Sequence, residues 1–428
     1  MAVELPNIVL LTIDALRADH LSGHGYDRDT SPELDALLED GLWFDTAFSA
    51  SSHTAEAVPS ILTGRYPDEA INTNYRLDTS SIAERLTEKG YATGAFHSNP
   101  YVSRAYGYGA GFDEFDDDLY LSHHKFLALF QRLLDIIRNK HYASAEAINE
   151  RSLAWIDSVD DGPFFCWNHY MDVHGPYQPP AEHQRRFHGE SVEDRDLHQL
   201  YKRSVSDPKS ITDEEHRILS DFYDGEIRYT DEMLAAFLDS LAQRDLLDDS
   251  VVIITGDHGD GFAENGYYAH PRTLDDELLR VPLIVLGLDE QPARVSVPTS
   301  TLDIVPTILS VLGKPDSTLP GDSLEKIAQD PESYRNRHVF SQVRGDEDDN
   351  KGNLRRFRIQ DGTNALALER DIQTNEVTVA PDSSPDLAEP LVEHSERRIA
   401  THGDADSKRE EVDVDGDIQR RLEALGYK

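Results

Sequence analysis

One cysteine in 428 residues, Cys166, excludes any intramolecular disulfide. It lies in the apolar run PFFCWNHY and reads as a small core residue rather than a reactive thiol. No apolar stretch approaches the ~18 residues needed to cross a bilayer. No secretion signal precedes the strand pattern that opens at about residue 7, so the expectation is a cytoplasmic protein without a membrane span. Basic residues are scarce, 41 Lys and Arg against 81 Asp and Glu, a net charge of −40. Such a surface repels nucleic-acid phosphates and anionic lipids, which removes both as partners. Hydrophobic residues are also few, at 38%, and an acidic, apolar-poor chain can fail to fold. The buried-type runs NIVLLTID and VVIITGD argue against that. The composition instead reads as a folded protein from a halophilic source, where salt screens charge repulsion within a few Å.

What is present alternates. NIVLLTID (7–14) and VVIITGDHGD (251–260) are continuous apolar runs ending in acids, and read as buried parallel strands. LWFDTAFSA, YATGAFHSN, PFFCWNHYMD and VPLIVLGL read as further strands. Between them come helices: SPELDALLEDG, SSIAERLTEKG, a long one over 125–159, LSDFYDGEIRYTDEMLAAFLDSLAQRDLLDDS and TLDIVPTILSVLG. VPSILTGRYP reads as a helix opened by Pro59 and ended by Gly64. The fold expected is α/β, a mostly parallel sheet flanked by helices, over 1–318, with 181–220 a polar surface insertion. Residues 319–428 read as a small α+β subdomain: short antiparallel strands (HVFSQVR, LRRFRIQDG, NALALERD, EVTVA), an acidic stretch at 381–416 and a terminal helix, DIQRRLEALGYK.

In such a sheet chemistry belongs at the C-terminal strand ends. Asp14 ends the first strand, and Asp257 with His258 ends the VVIITGDH strand. If those strands are central and parallel, two carboxylates and an imidazole emerge on one rim, a competent site for a divalent ion. Burying the two acids together without a cation would be costly. Taken singly, an Asp after a strand can equally cap the next turn.

NIVLLTIDALRADHLSGHGYDRDTSPELDALLEDG, SILTGRYP, HYMDVHGPYQPP, YDGEIRYTDEML, TGDHGDGFAENG, HPRTLDDELLRVPLIV and TLDIVPTILSVLG resemble, in order, the segments of the sulfatase family within the alkaline-phosphatase superfamily. The resemblance covers about residues 5–315, with an echo in RRLEALGY, and its type is that of a haloarchaeal sulfatase-like hydrolase. It implies an alkaline-phosphatase-like fold and one divalent metal at Asp14, Asp257 and His258: Ca, Mg or Mn, with Zn a further candidate. It also places the nucleophile nine residues before Thr63, at Thr54.

Here the sequence departs from the family. Sulfatases carry a Cys or Ser converted to formylglycine in a Cys/Ser-x-Pro-x-Arg setting, whereas Thr54-Ala55-Glu56-Ala57-Val58 lacks the modifiable residue, the Pro and the Arg. Threonine remains a usable nucleophile, as in phosphoryl-transferring members of the superfamily, with its hydroxyl activated by the cation. Glu56 reads as solvent-facing, with a base or a supporting partner as alternatives. The family places a substrate-contacting histidine at His174 and a basic group near the ester at His270; either can protonate the leaving oxygen. Asn99, with His97 beside it, occupies the wall where relatives carry Lys and His. His169 and Arg17 are further candidates for substrate contact, with strand packing and a salt bridge as their structural alternatives.

The resulting expectation is a metal-dependent hydrolase of a small-molecule or glycan sulfate or phosphate ester, with phosphoester hydrolysis or transfer through Thr54 preferred. A catalytically impaired homologue that binds metal or an anionic glycan is the alternative. Oligomeric state has no sequence signature.

Overall fold

The alternating runs of the first 318 residues build an eight-stranded sheet. In the computed structural model, which describes residues 5–118, 142–160, 162–345, 352–380 and 385–400, its strands are β1 (Asn7–Ile13), β2 (Gly41–Phe44), β3 (Ala92–Phe96), β4 (Glu114–Asp116), β5 (Phe164–Tyr170), β6 (Ser250–Gly256), β7 (Leu283–Leu286) and β8 (Ala293–Val295). The spatial order is β8-β2-β7-β6-β1-β5-β3-β4. Only β7 runs against its neighbours, so the sheet is mostly parallel, as expected.

Every residue of β1, β5 and β6 is buried because both faces of the sheet are covered. Ile8 and Leu10 of β1, with Val251 and Ile253 of β6, pack toward helices α1 (Thr54–Thr63) and α6 (Ile304–Val311). Val9, Leu11, Val252 and Ile254 point the other way, toward α2 (Ala145–Ile156) and the 30-residue α5 (Asp213–Ala242). Cys166 lies wholly inside this second core.

Several elements differ from expectation. α1 begins at Thr54, with Pro59 inside it rather than at its start. Proline's φ is already helical, and five residues from the helix start its ring faces a single preceding turn. Gly64 does end the helix, in a left-handed conformation (φ 68°). LWFDTAFSA is two strands split by a turn, β2 and the pair residues Ala47–Phe48. The polar 181–220 insertion folds largely into two helices, α3 (Ala181–His188) and α4 (Asp194–Ser206), and Leu197 and Tyr201 of α4 join the core that α5 lines. Of the long helix expected over 125–159, residues 119–141 lie outside the described residues, and α2 is the described part.

The C-terminal strands form as read: an antiparallel sheet of β9 (Val339–Arg344), β10 (Leu354–Gln360), β11 (Ala365–Asp371) and β12 (Val377–Val379). The acidic stretch after it contains a helix, α7 (Pro385–Ala400), whose Leu387 and Leu391 close on Phe357, Ile359, Leu366 and Leu368. The terminal helix expected over 417–428 lies outside the described residues. The small sheet docks on the main body: the Gln342 amide donates to the Ala50 carbonyl (2.9 Å) and the Ser341 hydroxyl to the Ser49 carbonyl (2.6 Å). It therefore stands next to α1.

Candidate active site and metal centre

Strand register brings the two acids together. Ile13 of β1 pairs with Gly256 of β6, so the next residues, Asp14 and Asp257, leave adjacent strands side by side. The Asp257 amide donates to the Ile13 carbonyl (3.2 Å) and the Asp14 amide to the Tyr170 carbonyl of β5 (2.9 Å). The chain then turns sharply at Ala15, which takes a left-handed φ of 60°. Its amide donates to Asp257 Oδ1 (3.1 Å), and that same oxygen accepts from the His258 amide (2.8 Å). Gly259 follows where no side chain fits, since a Cβ would lie 2.0 Å from the Glu277 carbonyl oxygen.

His258 donates Nδ1–H to the Gly259 carbonyl (2.8 Å), because a carbonyl can only accept. Its Nε2 is thereby aimed inward, 3.6 Å from Asp14 Oδ1 and 3.7 Å from Asp257 Oδ2. Thr54, the first residue of α1, closes the cluster. Its hydroxyl is 3.0 Å from His258 Nε2 and 3.4 Å and 3.5 Å from the two Asp14 oxygens. The α1 amides and the positive end of its dipole point at the same spot.

The electrostatics are divided. Burial alone would raise the Asp14 carboxyl, yet His174, His169 and His258 hold it well below the usual carboxylate range. Asp257 is pushed up by burial and by its neighbour Asp14. Burial opposes the charged form of His258, but Asp257 and Asp14 raise its pKa above the ordinary value. Asp257 Oδ2 is buried without a hydrogen bond. An acid pair with an orphaned oxygen, faced by an imidazole nitrogen and a hydroxyl, is the donor set a divalent cation satisfies. The residues thus fit the metal that the sequence implies.

Around this cluster the other candidates converge. Asn99 donates to Asp14 Oδ2 (2.8 Å), so its amide steadies that carboxylate. His169 lies on the same side, its Nε2 3.3 Å from Asp14 Oδ2. The His270 ring is 4.6 Å from His258 and 5.0 Å from His174, and its Nδ1 donates to Asp260 Oδ1 (2.9 Å). Burial drives the His270 pKa down to about 4 against the pull of Asp260. His174 donates Nδ1–H to the Gly175 carbonyl (2.6 Å). His97 stands off, packed between Phe115 and Trp167.

Arg17 is engaged elsewhere. Its guanidinium pairs with Asp19 and Glu264 and donates to the Asp260 carbonyl, tying the loop after β1 to the loop after β6. This is the salt-bridge alternative, and it leaves the side chain bracing the site rather than facing an ester. Glu56 is not solvent-facing: it is 1% exposed and paired with Arg272 at 2.7 Å. Arg272 went unread in the sequence, although an arginine two residues after His270 in so acidic a chain was the available signal. His53 was also missed. Its Nδ1 accepts the Ala55 amide (3.3 Å) and caps α1, while burial and the nearby Arg272 hold its pKa well below the usual value, so it is neutral.

Comparison with known proteins identifies the family and the fold. Residues 6–314 match the sulfatase family model. An ulvan-active sulfatase of Formosa agariphila is 25% identical over 358 residues, spanning 78% of this chain and 67% of that one. The low-salt glycan biosynthesis sulfotransferase Agl7 of Haloferax volcanii is 24% identical over 334 residues, 77% of this chain and 66% of its own. The fold of a phosphonate monoester hydrolase from Agrobacterium radiobacter superposes with a TM-score of 0.71 at 19% identity, covering 94% of this chain and 96% of that one. A match over residues 6–314 takes in every strand of the main sheet and every side chain gathered at its rim, and the chain therefore belongs to the sulfatase family, whose enzymes hydrolyse or transfer sulfate and phosphate esters.

Proposed function

We propose that this chain cleaves a phosphate ester, presented by a small molecule or a glycan, by transferring the phosphoryl group to Thr54 and then to water or an acceptor hydroxyl. The observation that carries the reading is the Thr54 hydroxyl at a helix N-terminus, within 3.0–3.5 Å of His258 and Asp14. A divalent cation held by Asp14, Asp257 and His258 supplies charge neutralisation at the ester and makes the hydroxyl more acidic.

The chain's own groups do the rest. The Asp14 carboxylate lies within reach of the Thr54 proton. The α1 amides face the non-bridging oxygens. As the Thr54 Oγ1–P bond forms, the P–O ester bond breaks, and the leaving oxygen takes a proton from His174; His270, held neutral with its one N–H on Asp260, has none to give. In the second half of the reaction the incoming hydroxyl gives up its proton to the same imidazole, and the Thr54 Oγ1–P bond breaks as Oγ1 takes its proton back from Asp14. Formylglycine chemistry has no place here: Thr54 is not a convertible residue, and Cys166 is sealed in the second core with its thiol pushed up by burial.

A nitrophenyl ester panel (phosphate monoester, phosphate diester and sulfate), run in molar salt with and without divalent ions, tests this reading. Thr54→Ser is expected to keep metal-dependent phosphoester turnover. Thr54→Ala is expected to lose it by at least two orders of magnitude, the scale of a lost nucleophile. Acid quench followed by peptide mass spectrometry should find phosphothreonine at Thr54. Turnover of the sulfate ester alone, or full activity in Thr54→Ala, would reject the assignment.

A further inference from the structure

His169 has no task in the scheme above, and its surroundings supply one. It lies in β5 opposite Thr12 of β1, on the face from which Asp14 also projects two residues later. The ring is fully buried. On one side, Nδ1 is 2.8 Å from Thr12 Oγ1. That oxygen also receives the Trp167 indole N–H at 3.0 Å, and indole can only donate. With the Thr12 hydrogen placed on the Asn168 carbonyl at 3.4 Å, this oxygen is left to accept from His169 Nδ1–H, the arrangement that a cation on the other nitrogen would select.

The tautomer that results leaves Nε2 with a bare lone pair. The geometry agrees. Nε2 is 3.3 Å from Asp14 Oδ2 yet makes no hydrogen bond, and Asp257 Oδ2 is likewise buried and unbonded. One donor atom each from Asp14, His169 and Asp257 lie within 4.8 Å of one another. Lone pairs converging in a dry interior repel unless a cation stands between them. Anchoring the far nitrogen of a histidine through a fixed acceptor is also how proteins hold an imidazole for a metal.

We infer that His169 is a protein ligand of the same cation, giving a set of two imidazoles and two carboxylates that takes a zinc-class ion in preference to calcium. This rests on the cation site of the proposed function. Imidazole nitrogen suits zinc and its neighbours, whereas calcium takes six to eight oxygens and few nitrogens. The substrate-contact role expected for His169 fits less well, because Thr12, Trp167 and Asp14 enclose the ring.

Metal-loading of the full chain in molar salt tests the inference. Zn²⁺, Mn²⁺ and Ca²⁺ affinities are measured by chelator competition for the wild type, His169→Gln, His258→Gln and Asp257→Asn, with apo-protein thermal unfolding as the folding control. The wild type is expected to prefer Zn²⁺ to Ca²⁺ by more than 100-fold. His169→Gln should weaken Zn²⁺ on the order of 10–100-fold while leaving Ca²⁺ nearly unchanged. X-ray absorption on the zinc-loaded wild type should count two imidazoles, a readout that stands even if a variant fails to fold. One imidazole, or unaltered Zn²⁺ affinity in His169→Gln alongside a loss in His258→Gln, overturns the role of His169 and leaves the proposed function intact. Unaltered affinity in His258→Gln and Asp257→Asn as well would instead remove the cation site on which both depend.

Discussion

At the scale of single residues, Glu56 shows how an acid can sit beside an anionic ester. Arg272 neutralises it at 2.7 Å, and the Arg344 amide approaches both of its oxygens at 3.3–3.4 Å. The pair joins α1 to the loop that carries His270. Removing one partner strands a buried charge, which typically costs 3–5 kcal/mol, whereas replacing both costs far less. Glu56→Gln with Arg272→Met together should therefore recover most of the stability lost by Arg272→Met alone, measured by thermal unfolding. If the double variant is as unstable as the single, the pair is not what holds these segments. In the sequence Glu56 looked solvent-facing because its partner is 216 positions away. Asp14, Asp257 and His258 were legible because a strand-ending acid marks its own position in any parallel sheet.

At the scale of elements, α5 steadies the turn that follows β1. The Tyr223 hydroxyl donates to the Ala15 carbonyl (2.7 Å) and accepts the Arg17 amide (2.9 Å), clasping the left-handed turn that aims Asp14. Tyr223→Phe strands both backbone groups, so it should lose about 1–3 kcal/mol of stability. Metal affinity should fall about tenfold, the size of effect seen when a supporting partner is removed. Thermal unfolding and a metal titration on the same sample check both. Unchanged metal affinity would confine Tyr223 to folding.

Helix α7 is held partly through His394, stacked on Phe340 (4.1 Å) and edge-on to Tyr66 (4.8 Å). Burial, with Arg398 and Arg397 nearby, lowers the His394 pKa to about 3. A depressed histidine keeps its native, neutral form at no cost above the unfolded pKa. As pH falls from about 6.5 toward 3, the unfolded chain binds a proton that the folded one refuses, and stability drops by about 1.4 kcal/mol per unit. His394→Phe should therefore shrink the stability difference between denaturant melts at pH 7 and pH 5 by about 2 kcal/mol, the share of His394 beside other lowered histidines such as His270 and His53. Nothing in the sequence marked α7, since its apolar anchors, Leu387 and Leu391 with Val392 and Ile399 beside them, are scattered among charged residues and its partner strands precede it. The start of α1 was hidden for a related reason: a proline inside the helix reads as its boundary.

At the scale of the whole molecule, the charge of −40 sits on an ordinary doubly covered sheet. At low ionic strength the Debye length reaches about 30 Å, a span over which surface carboxylates repel one another; at about 1 M it is near 3 Å. The unfolding temperature should rise steadily with KCl over that range, by more than for a neutral member of the family. A midpoint independent of salt would remove the halophilic reading. No described helix is long and apolar enough to cross a membrane.

The sequence by itself determined the sheet, the strand ends that carry the acids and the four short strands near the C-terminus, because burial on one or both faces writes a local apolar period. Only the tertiary structure decided which nitrogen of each histidine faces inward, that Arg17 braces loops, that Arg272 neutralises Glu56, and that α1 delivers Thr54 to Asp14. Those outcomes depend on register between strands hundreds of residues apart and on partners chosen by packing, and neither leaves a mark on the residues nearby in the chain.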